Sequence, residues 1–210
     1  MLALMLLHVP LALLPAPVRP PECQLDVVPP FVLEERVLED FNRQVAHYAR
    51  LHRRLERALP PEHLFMDTED MPFAVDALHT ALIDARPNAR AGVFFKPALA
   101  YLLTQRLHRA VTANGYTAAE VLAAINVGRV PGMRRPQVND RLPDVSNIEV
   151  WPALRAALPP LPKELTFRFI DRDLVLWDVH ADLIVDVLED ALPSAPSNRD
   201  GREAVDGPVS

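Results

Sequence analysis

Asp178, His180, Asp182 and Asp186 fall within nine residues of the stretch "RDLVLWDVHADLIVDVLEDALP", positions 172 to 193. Carboxylates and an imidazole at this spacing are the residue types of a metal centre or a general acid/base pair. Asp178 and His180, two apart, would share one face of an extended strand, and Asp182 follows within reach. A metal needs three or more converging ligands, and this segment offers no fourth group. The same residues also suit a hairpin bend. Asp182 tolerates left-handed backbone and can bond its own chain, with Asp178 and His180 flanking the turn. Strand alternation puts the Asp186 side chain on the face opposite Val185 and Val187. The turn is the simpler reading. A metal-binding protein or hydrolase centred on Asp178, His180 and Asp182 is the alternative.

Other chemistries are poorly supplied. The six glycines, at 92, 115, 128, 132, 201 and 207, write neither a GxGxxG fingerprint nor a P-loop. Cys23 is the single cysteine, so an intrachain disulfide and a Cys-based zinc centre are excluded. Ser146, the one serine before the C-terminal tail, lacks the nucleophile-elbow context, and no HExxH occurs. His47 and His52 are five apart on one expected helix and do not share a face. His79 and His108 belong to separate helices that lack Glu-x-x-His. No cofactor is expected.

The elements that would position these residues are legible. In 31 to 59, apolar residues at Leu33, Val37, Phe41, Val45, Tyr48, Leu51, Leu55 and Leu59 keep steps of three and four. That is one stripe of a long amphipathic helix, bracketed by Pro29-Pro30 and Pro60-Pro61. Acids crowd its start (Glu34, Glu35, Glu39, Asp40) and arginines its end, which complements the helix dipole. Arg43, Arg50, Arg54 and Arg57, with Arg36 and His47 close to the same face, form a candidate anion or partner surface. A solvated basic face explains them more simply.

A second helix is expected over 69 to 86, with Asp67 or Thr68 as N-cap. A third is expected over 97 to 113, opened by Pro97 and closed by a left-handed Asn114-Gly115 cap. A short fourth starts at the Thr117-Ala-Ala-Glu120 capping box and ends by Gly128. Residues 129 to 150 carry three prolines and no period, as an irregular connector would. Trp151 to Leu158 suits a further helical turn or two. From Leu165 the period becomes two: "LTFRFI", "DLVLWD" and "LIVDVL" alternate as strands joined by tight bends at Asp171-Arg172 and at 179 to 182. The fold class is therefore α+β: about four amphipathic helices followed by a small C-terminal antiparallel β-meander.

The two ends differ from the body, 31 to 193, which reads as one α+β domain. Residues 2 to 14 are apolar except His8 and Pro10. That run is too short to span a membrane and has the length of a signal-peptide core, although no Lys or Arg precedes it. Residues 1 to 30 read as a signal-like segment and Pro-rich linker. Residues 194 to 210 lack apolar periodicity and read as a disordered tail. A net charge of −6 disfavours nucleic acid as a partner. With 22 prolines against 6 glycines, the connections should be stiff.

Three stretches carry a resemblance: "DFNRQVAHYARLHRRLERALPP", "ARPNARAGVFFKPALA" and "LPPLPKELTFRFIDRDLVLWDVHADLIVDVLEDALP". Over about 31 to 193 the chain resembles a group of uncharacterised exported proteins of Gram-negative bacteria. It departs from their pattern at Lys96, where a Thr N-cap is usual, so that helix start should be less well satisfied. The resemblance implies a signal sequence and a periplasmic or secreted home, and no activity. The favoured expectation is an exported non-catalytic module that binds a protein or envelope partner, with no transmembrane helix in the mature chain.

Overall fold

The three-and-four spacing and the two-residue alternation both become secondary structure at the expected places. In the computed structural model, residues 30–59, 71–125, 134–143 and 150–192 are described. The signal-like segment, the Asp67/Thr68 cap, the Gly128 stop and the C-terminal tail lie outside them. The helices are α1 (Pro30–Ala58), α2 (Met71–Asp84), α3 (Pro97–Ala113), α4 (Ala118–Ile125) and α5 (Pro152–Ala156). The strands are β1 (Leu165–Ile170), β2 (Asp173–Asp178) and β3 (Leu183–Leu188), in one antiparallel sheet of order β1-β2-β3. The architecture is α+β with a C-terminal β-meander. No described helix is long and apolar enough to cross a membrane.

Local rules set most boundaries. Gly115 adopts φ +72°, and Tyr116 N–H returns to the Val111 carbonyl, closing α3 with a left-handed cap. Lys96 at its start makes no side-chain cap bond, so Pro97 carries that end alone. The α4 capping box forms reciprocally: Thr117 N–H donates to Glu120 Oε2, and Glu120 N–H to Thr117 Oγ1. The first turn of α1 holds no acid, because the helix begins at Pro30. Its acids sit a turn or more further in and tie α1 to α3: Glu34 pairs with Arg106, and Asp40 with Lys96 just before α3.

The sheet is buried on both faces. Leu174, Leu176, Phe167 and Phe169 face the helical layer, where Phe41, Leu82, Leu103 and Leu107 meet them. Val175, Ile184, Val187 and Ile170 pack with Leu142 on the other face. The 134–143 connector is more ordered than its composition implied. Asn139 N–H donates to the Ile184 carbonyl and Ile184 N–H to the Asp140 carbonyl, so this segment covers the free edge of β3.

A register shift between Leu176 and Trp177 corrects the expected faces of β3. Leu176 pairs with Asp186 and Trp177 with Ile184, leaving Val185 as the extra residue of a bulge. Val185 thus joins the helix-facing core, while Val187 belongs to the opposite one. Asp186 opposes Val187 as alternation predicts, but not Val185.

Candidate metal centre

Some acids of the C-terminal segment lie in the interior. Asp178 and Asp186 are both fully buried. Asp178 ends β2 and makes the turn: its Oδ1 accepts from the backbone N–H of His180 and of Ala181, each at 3.0 Å. Its Oδ2 accepts from the Tyr48 hydroxyl at 2.8 Å and from His52 Nδ1 at 2.6 Å. Four donors saturate a carboxylate. Asp182 is turned elsewhere. It holds the left-handed position expected of it, φ +45°, but its carboxylate accepts from Trp177 Nε1 and Leu142 N–H and meets Arg141. The trio Asp178, His180 and Asp182 therefore does not converge as one ligand set, and the bond to the turn's own backbone belongs to Asp178.

What converges instead comes from α1. His52 and Glu56 are one helical turn apart and share a face. With His180 they bring three ligand atoms within 4.8 Å of one another. His52 Nε2 lies 3.7 Å from Glu56 Oε2, and His180 Nδ1 lies 3.4 Å from Glu56 Oε1. Ligand atoms about 2.0–2.1 Å from a tetrahedral ion stand about 3.4 Å from one another, so the three side chains would close in slightly on an ion, with one Glu56 oxygen turned to both histidines. The His52 and His180 rings are 5.3 Å apart between centroids.

The environment of His52 defines its role. Because Asp178 is an acceptor, Nδ1 carries the proton, and the lone pair of the neutral ring sits on Nε2. That ring is wholly buried, and Nε2 has no hydrogen-bond partner among the described residues. Burial lowers the His52 pKa, but the Asp178 hydrogen bond and charge outweigh it with help from Glu56 and Glu164, and the net direction is up. Three carboxylates thus bear on the ring. Glu164 is itself fully buried and bonded to Arg53, and Arg86 reaches Asp178 electrostatically from the Tyr48 side. His180 and Glu56 are partly exposed, which leaves one side of the group facing solvent.

The geometry is that of two imidazoles and a carboxylate, with a carboxylate-bound histidine behind them. Such outer partners fix a ligand's tautomer and orientation. Among the described residues, neither histidine is hydrogen-bonded by a serine, threonine or cysteine. The turn is clamped from a second helix too, since His79 Nδ1 in α2 lies 3.0 Å from the Ala181 carbonyl.

Of the basic face on α1, Arg43 pairs with Asp40, and Arg57 bonds the Arg53 carbonyl. Arg43 and Arg50 border a cleft with His47, while Arg54 and Arg57 do not. Comparison of the chain with protein-family models, curated proteins and solved structures returned no match.

Proposed function

We propose that this protein binds a divalent transition-metal ion, zinc by its ligand chemistry, through His52 Nε2, Glu56 and His180. The observation that carries the reading is the fully buried Nε2 of a histidine whose other nitrogen is held by Asp178: it has no hydrogen-bond partner among the described residues, and Glu56 Oε2 stands 3.7 Å away. A buried polar atom without a partner costs free energy comparable to a lost hydrogen bond, and a metal ion relieves it. Imidazole and carboxylate together suit zinc and its neighbours rather than calcium or magnesium. Held by these three residues, a zinc ion would keep a fourth position for water and would supply the chemistry of an acidified water. An exported location, expected from residues 2 to 14, belongs to the same proposal.

The test is a Zn²⁺ titration of the chelator-stripped full chain by calorimetry, with Co²⁺ absorption to report the ligand field. One ion per chain is expected, with tetrahedral Co²⁺ bands. His52→Ala and His180→Ala should each abolish tight binding, and Asp182→Asn should leave it intact. Absence of a stoichiometric ion, or binding by both histidine variants as tight as that of the wild type, would return the group to a structural ion-pair network.

A further inference from the structure

A cleft of about 710 Å³ opens between the middle of α1 and the segment that follows α2. Its volume lies within the range of about 300–1,000 Å³ usual for small-molecule sites. The floor is apolar: Leu51, Val93, Phe94, Val185 and the ring of Tyr48. Arginines border it: Arg43, Arg50 and Arg90, with His47 beside them. Asp40 is the acid on its wall, and Lys96 and Arg43 already hold it at 2.7 and 3.0 Å.

Arg86 is the decisive residue. It lines the cleft, lies over the Tyr48 ring at 5.2 Å, and donates to Asn139 Oδ1. Its Nε is buried, with no hydrogen-bond partner among the described residues. The two buried carboxylates that act on it are occupied. Asp178 is saturated by Tyr48, His52 and two backbone N–H groups. Asp186 is saturated by the N–H groups of Gly92, Phe94, Phe95 and Val187. Arg86 therefore forms no ion pair among the described residues, although its guanidinium cannot shed its charge. A half-buried cation beside an apolar floor is complementary to an anion with an apolar body, and a planar fork favours carboxylate.

We infer that this cleft is a binding site for an amphipathic carboxylate, its head on Arg86 and its apolar body against Phe94, Val93 and Val185. The site does not depend on the metal centre, which shares with it only the Tyr48–Asp178 link.

The test uses the full chain in EDTA buffer, which removes any metal contribution. Calorimetry compares sub-micellar dodecanoate with dodecyltrimethylammonium, dodecyl maltoside and acetate. One dodecanoate per chain is expected. The cationic and neutral dodecyl probes should bind about tenfold or more weakly, a difference of about 1.4 kcal/mol, and acetate should not register. Arg86→Met should weaken dodecanoate about tenfold. Because that change also strips a packed side chain, the exposed pair Arg50→Glu/Arg90→Glu serves as a second variant and should weaken it as well. No dodecanoate binding, equal binding of the neutral probe, or wild-type affinity in the charge-reversed variant would each overturn the assignment.

Discussion

A histidine five positions from another on one helix looks like two unrelated side chains, and here it is. His47 borders a cleft, whereas His52 turns inward and meets Asp178. The signal that could have found His52 was its i, i+4 relation to Glu56, read together with an acid/imidazole pair elsewhere in the chain. Burial then decides which residues hold the fold and which serve the site. Phe167 stacks with Phe41 and Phe95 in the core, so Phe167→Ala should cost about 3–5 kcal/mol. His180 is 41% exposed at its side chain, and His180→Ala in metal-free protein should stay within about 0.5 kcal/mol. Urea melts of the two variants would check this, and equal loss would contradict the placement of the strands.

Among the elements, β3 and the approach to α3 are coupled by one side chain. The bulge at Val185 turns Asp186 toward the helical layer, where it accepts from Gly92, Phe94 and Phe95 N–H. Burial raises the Asp186 carboxyl above its ordinary value, and the backbone donors of Phe95, Gly92, Val187 and Phe94 pull against that rise. Asp186→Ala leaves those N–H groups buried or half-buried without an acceptor, each costing about 1–3 kcal/mol unless water reaches it. A loss of about 3 kcal/mol is expected, with faster amide exchange at 92 to 95. Asp76→Ala, which removes a surface pair with Arg141, should cost less than about 1 kcal/mol. Similar midpoints for the two variants would show that Asp186 does not anchor the α3 approach.

At the scale of the whole molecule, the proposed metal centre joins α1 to the β2–β3 turn, where His52 and Asp178 are 126 residues apart in sequence and their docking is the tertiary fold. An ion bound only to the native state adds stability by mass action, about 2.7 kcal/mol at a free concentration of 100 times Kd. Zn²⁺ at that ratio should raise the melting temperature on the order of 5–10 °C, and His52→Ala should lose the increment. A Zn²⁺-insensitive melt would count against a site that bridges the two layers. The elements themselves were set by the sequence, because apolar period, proline stops, the Thr117–Glu120 box and Gly115 act within a few residues of one another. So were the α+β class and the three strands. The partners of Asp178 were not. His52 and Tyr48 reach it across 126 and 130 residues, and no local period records which face of α1 docks on which end of the sheet. The Val185 bulge was equally hidden, since β-branched alternation reads the same with or without it. Only packing decided that His180 joins Glu56 while Asp182 turns to Trp177 Nε1 and Leu142 N–H, because a partly buried donor needs the acceptor that the tertiary fold brings beside it.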